Sequence, residues 1–212
     1  CFNGTKWMQV SVSSPDLGVL ASSYWRPAGT RAITAGGTTQ GDDGNSAVFE
    51  YVTMATTGNA LDFGDLSDFT SYAGGCSSST RGLNAAGSIP GNNYGRNTIQ
   101  YVTIESTGSH ADFGDTTEGI WGLSGVSNQT RGVFGGGKIS PGAMTNLMQY
   151  VTIATTGNTA DFGDLSLVRN NTGALGNTTR GLWAGGYTPT EVNNIDYVTI
   201  ATTGNAQDFG DA

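Results

Sequence analysis

The residues best suited to chemistry in this sequence are its acidic pairs. Asp-Phe-Gly-Asp recurs as Asp62/Asp65, Asp112/Asp115, Asp161/Asp164 and Asp208/Asp211. Two carboxylates at that spacing could share acid and base work in glycoside hydrolysis, or hold a hard cation. Four equivalent active sites in one chain would be unusual, so the pairs read as structure. Asp42-Asp43-Gly44-Asn45 has the residue types that open a calcium loop but lacks the spaced ligands and the terminal Glu. His110 is the only histidine, which excludes histidine-based triads and multi-histidine metal centres within this chain. Two cysteines, Cys1 and Cys76, are too few for a disulfide framework or a four-cysteine zinc site, and their spacing leaves pairing open. The expectation is a protein that is not an enzyme and uses no metal and no cofactor.

The cations are as regular as the acids. Thr-Arg places Arg31, Arg81, Arg131 and Arg180 at steps of 50, 50 and 49 residues. A guanidinium fork matches carboxylate geometry, and a partly buried Arg is tolerable only when paired. Each of these arginines is therefore expected to pair with a motif Asp of its own or an adjacent repeat, the twelve residues forming a structural lattice.

These residues are positioned by a repeat of about 49 residues. Tyr-Val-Thr-hydrophobic opens at Tyr51, Tyr101, Tyr150 and Tyr197, and each copy runs through a Thr-Gly turn into Asp-Phe-Gly-Asp. In the last copy, four strand-like pieces span 173–175, 180–184, 195–202 and 208–211, the third alternating Val198 and Ile200 with Tyr197, Thr199 and Ala201. Between them lie Gly, Asn, Ser and Thr clusters with turn chemistry, such as Thr57-Gly58-Asn59. No capped 3.6-residue pattern supports a sizeable helix. Residues 1–20 read as a degenerate half repeat or the end of an upstream module, and 21–212 as full repeats. A single sheet of this size cannot cover both its faces, so successive sheets must stack, and a radial stack makes a β-propeller. Trp121 and Trp183 are expected to fill the space between sheets.

The order Arg-Gly, hydrophobics, Gly-Gly, variable loop, Tyr-containing strand and closing aromatic is similar to kelch repeats. Gly36-Gly37, Gly135-Gly136 and Gly185-Gly186 fill the doublet, with Ala86-Gly87 as a departure. Phe63, Phe113, Phe162 and Phe209 stand where a kelch unit carries Trp, which makes the pattern kelch-like. The resemblance implies an all-β propeller of four-stranded antiparallel blades. More narrowly, Tyr-Val-Thr-Ile-Ala-Thr-Thr-Gly-Asn-Ala with Asp-Phe-Gly-Asp resembles repeats in tail-fibre-like virion proteins of marine bacteriophages. That resemblance implies an extracellular virion-surface module whose partners are other virion subunits, with a host cell-surface glycan or protein as the ligand. A homo-oligomer is also compatible with it.

In an up-and-down sheet the Thr-Arg and Thr-Gly turns share one rim, while the second-to-third loops and the connections between sheets share the other. Loops 38–47, 88–98, 138–147 and 187–194 on the second rim differ from copy to copy, as recognition requires. The candidate ligand-binding residues are Tyr94 and Tyr187, whose rings could stack on sugars, with the cations Arg96 and Lys138. Asn92, Asn93, Asp42 and Asp43 could hydrogen-bond hydroxyls. A purely architectural role, binding only neighbouring subunits, is the alternative.

Composition narrows the partners. The net charge is −8 and the only lysines are Lys6 and Lys138, so no basic surface invites nucleic acid. No apolar run approaches the ~18 residues of a membrane span, so no membrane insertion is expected. Gly supplies 34 of 212 residues and charged residues 12%, a profile of strands and turns rather than helix bundles.

Overall fold

The computed structural model describes residues 30–37, 46–88 and 94–212. The half repeat at 1–20 and the residues Asp42, Asp43, Asn92 and Asn93 lie outside the described residues. Among the described residues every regular element is a β-strand, in several antiparallel sheets.

Each repeat forms its own up-and-down sheet. The second unit comprises Gly74–Ser77, Arg81–Ala85, Arg96–Thr103 and Ala111–Trp121. The third comprises Ser124–Ser127, Arg131–Gly135, Leu147–Thr152 and Ala160–Asp164, and the fourth Gly173–Gly176, Arg180–Ala184, Asn194–Thr199 and Gln207–Asp211. The first unit contributes Arg31–Ala35, Ser46–Thr53 and Leu61–Thr70. Neighbours in sequence are neighbours in each sheet. The second unit's sheet also gains the hairpin Lys138–Ile139 and Ala143–Met144 from the third unit's variable loop, reaching six strands.

The same register break recurs in every unit. Phe49 faces Gly64 and Glu50 faces Asp62, so the intervening Phe63 has no cross-strand partner. The pairs Ile99–Gly114, Met148–Gly163 and Ile195–Gly210 repeat this bulge. A bulge bends its strand and re-aims a side chain. Here it drives Phe63, Phe113 and Phe162 into apolar cores, each with its own unit's tyrosine edge-on at 5.9–6.0 Å.

Those cores lie between successive sheets. Phe49, Phe63 and Leu66 of the first unit meet Val102 of the second. Leu83, Ile99, Phe113 and Ile120 of the second unit meet Phe134, Val151 and Ile153 of the third. Val126, Met148 and Phe162 of the third unit meet Trp183, Val198 and Ile200 of the fourth. Trp183 fills inter-sheet space as expected, its Nε1 donating to the Ser124 carbonyl across the junction (3.2 Å). Trp121 does not: it is half-buried and lies outside all three cores, at the end of the second unit's last strand, where it pairs with Lys138.

The small-residue doublet ties each sheet to the connection that leaves it. Its first residue adopts φ 61–69° at Gly36, Ala86, Gly136 and Gly185, so the third unit's doublet is Gly136-Gly137 rather than Gly135-Gly136. The second residue's N–H then reaches the outgoing connection: Gly37 to Thr70 O, Gly87 to Ile120 O and Gly137 to Arg169 O, at 2.8–3.0 Å. A β-carbon on Gly136 would fall 2.7 Å from the Arg169 carbonyl oxygen, which restricts that position to glycine.

Candidate functional site

The two rims carry different chemistry. On the motif rim each Thr-Arg guanidinium lies over the tyrosine of its own unit, at 4.3–4.8 Å from the rings of Tyr51, Tyr101, Tyr150 and Tyr197. Nη1 of Arg31, Arg81 and Arg131 donates to the carbonyl of Ile104, Ile153 and Ile200 in the following unit, at 3.0–3.1 Å. The expected Arg–Asp lattice is corrected here: among the described residues no ion pair joins Arg31, Arg81, Arg131 or Arg180 to a motif Asp. Asp62, Asp112, Asp161 and Asp208 are exposed to water, and a tyrosine face satisfies each planar cation more locally, joined by a backbone carbonyl at Arg31, Arg81 and Arg131.

The motif works through its glycines and its backbone. Gly108 N–H donates to Phe63 O, Gly157 to Phe113 O and Gly204 to Phe162 O, at 2.7–2.8 Å, so the Thr-Gly turn of one unit docks on the bulge of the preceding one. At Gly114 a β-carbon would sit 2.4 Å from the Gly157 carbonyl oxygen, and φ there is +143°. Asn158 and Asn205 complete the dock by accepting the N–H of Asp115 and Asp164 through Oδ1 (3.0 and 3.1 Å). His110 occupies the same turn in the second unit, Nδ1 at 2.9 Å from Asp65 O. No group of three or more His, Cys, Asp or Glu side chains arranged to hold a metal ion occurs among the described residues.

On the opposite rim the variable loops leave from fixed stems. The residue after each doublet bridges the incoming connection, Ser88 to Ser71, Lys138 to Trp121 and Tyr187 to Asn170. Between these stems the contents diverge. Tyr72, exposed and at φ 56°, packs its ring at 5.9 Å from Trp121, and Lys138 Nζ lies 4.8 Å over the same indole. Tyr94 is exposed nearby, and its neighbour Gly95 donates its N–H to Ser140 Oγ (3.0 Å), so loops 88–98 and 138–147 meet. Arg96 is engaged by Asp68 at 3.1 Å. Tyr187 is exposed beside the Asn170 connection. The structure thus gathers Tyr94, Arg96 and Lys138 and adds Tyr72 and Trp121, which the sequence reading did not select. Their signal was position: they stand at nearly the same place in successive repeats, eight or nine residues after the motif phenylalanines Phe63 and Phe113, where the chain reaches this rim.

One buried pair was also invisible beforehand. Gln100 and Gln149 cross the junctions to hold Ser67 N–H and Thr117 N–H through Oε1. At the same place in the fourth unit, Asp196 accepts from Ser166 and, at 2.8 Å, from Arg169 Nη2, both partners of the ion pair fully buried. Burial lowers the Arg169 guanidinium pKa below its ordinary value, with Asp196 opposing the shift. Arg169 also donates to the carbonyls of Gly185, Asn194 and Trp183, so the buried charge is widely satisfied. Cys76, half-buried, lies against Gly132 of the next unit, and burial pushes its thiol pKa up to about 12, which keeps it protonated at neutral pH.

Neither a scan against models of known protein families nor a search of curated proteins returns a match.

Proposed function

We propose that this chain is a non-enzymatic, kelch-like propeller module of a phage virion appendage, and that its variable rim contacts a host cell-surface glycan. The carrying observation is the cluster of Tyr72, Trp121 and Lys138 on stems fixed by repeated backbone bonds. Exposed aromatic faces stack on sugar rings, and an adjacent ammonium suits an acidic or heavily hydroxylated saccharide. The radial reading draws support from the first strands, which approach most closely: Ser127 Oγ reaches Ser77 O at 2.7 Å, and a β-carbon on Gly125 would fall 2.5 Å from Gly75 O. Inner strands of a propeller crowd in this way. The virion setting draws support from the wording of the repeat. Binding of the full chain to a glycan array and to host cells tests the proposal. Loss of binding in Tyr72→Ala and Lys138→Ala with folding unchanged supports it, and binding that survives both changes refutes it.

A second reading, an architectural protein that binds only neighbouring subunits, is favoured by the outer face of the fourth unit, where apolar groups lie open.

A further inference from the structure

The three internal junctions share one design, and the two outermost faces of the described stack carry its unmatched halves. Phe63, Phe113 and Phe162 are each 2% exposed, whereas Phe209 at the same bulge is 53% exposed. Val126 is buried against Gly181 and Trp183 of the fourth unit, whereas its counterpart Leu175 is 62% exposed. Gly64, Gly114 and Gly163 each press on a glycine of the following unit, whereas a β-carbon on Gly210 would meet nothing within 4 Å. Arg180 keeps its place over the Tyr197 ring but makes no carbonyl bond like those of Arg31, Arg81 and Arg131 among the described residues.

The first unit mirrors this. Ile104, Ile153 and Ile200, whose carbonyls receive those arginines, are at most 5% exposed, and Met54 in their place is 67% exposed. Val52 is open where Val102, Val151 and Val198 are buried.

From these matched halves we infer that the fourth-unit face is a docking surface for the first-unit face of a second copy of this chain, joined head to tail. Arg180 of one copy donates to the Met54 carbonyl of the next, Gly210 takes the turn at Gly58, Phe209 O accepts the Gly58 N–H, and Leu175 is covered. The occupant is identified by chemistry already present three times within the chain. A head-to-tail contact of this kind is heterologous, so it extends into a ring if successive rotations close and into a filament if they do not. Pairing depends neither on what the variable rim binds nor on the radial reading, which bears only on whether a ring forms.

Sedimentation velocity of the full chain across a wide range of concentrations, without any glycan, tests this. The wild type should associate, and Leu175→Asp and Met54→Asp, both at exposed positions, should each weaken association by about tenfold or more. The two variants mixed should form dimers and nothing larger, because each retains one intact face and the pair can build a single junction. Circular dichroism checks that both variants stay folded. A wild-type monomer at every concentration overturns the inference, including a monomer in which residues 1–29 cover either face. So does association that neither variant weakens, or a mixture that fails to dimerise.

Discussion

The motif rim and the variable rim rest on the same strands, yet one repeats its chemistry at every junction while the other changes it. At the motif rim the backbone of one unit touches the backbone of the next: Gly114 lies so close to Gly157 that it admits no β-carbon, while Gly157 has open space and is held to glycine by its φ of +155°. At the variable rim the bonds differ from one junction to the next: Lys138 and Ile139 pair with Trp121 and Ile120, Gly95 reaches Ser140 Oγ, and Tyr187 bridges Asn170. Sameness here marks where two backbones must meet, and difference marks where the chain is free to specialise.

Four experiments sharpen or break that contrast. The largest effect is expected on the variable side, where Arg169 departs from the apolar pattern. Asp196→Ala leaves Arg169 buried without its carboxylate and should cost about 3–5 kcal/mol in urea unfolding. A loss near zero would mean that the pair is dispensable. Next, Gly114→Ala should cost about 2–4 kcal/mol, since it combines a positive φ with a clash on Gly157, while Gly142→Ala, at φ 135° in an open loop, should cost only about 1 kcal/mol of strain. Equal losses would erase the distinction between the rims. Arg131→Ala should cost about 1–2 kcal/mol by removing the ring contact and the Ile200 carbonyl bond, and unchanged thermal stability would show that this bridge carries no weight. Tyr72→Ala should stay within about 0.5 kcal/mol of wild type while abolishing glycan binding, which separates contact from scaffold.

Cys76 adds a pH test of the junction. Its folded pKa of about 12 stands above the unfolded value of 9.0, so the unfolded chain releases its proton first. The stability linked to this group is therefore intact below pH 9 and is lost as pH rises toward 12. Alkylation near pH 8 should label Cys76 only in the unfolded protein. Rapid labelling of the native chain would mean that the thiol is open to solvent.

Much of this scaffold was legible in the sequence. Period-two patterning located the strands of the fourth unit to within three residues, because alternation and turn chemistry are local properties. The two rims followed from up-and-down connectivity. Arginine partners were not legible, because abundance of Asp says nothing about distance, and the nearest acceptors proved to be a ring and a backbone carbonyl. The Arg169–Asp196 pair left a faint trace: the fourth unit has Asp196 where the second and third have Gln100 and Gln149, and the connection leading to it has Arg169 where the earlier ones have Thr70 and Ile120. Only the fold shows that those positions touch. Trp121 departs from the expectation because size favours burial in general, whereas this residue ends a strand that the register brings out to the rim.

The glycine-to-glycine dock has one more implication. Because every such seam joins only adjacent segments and uses the same bonds, recombination that gains or drops a whole period leaves the surviving seams intact. A lineage can thereby lengthen, shorten or shuffle its array of reading loops without solving the folding problem afresh.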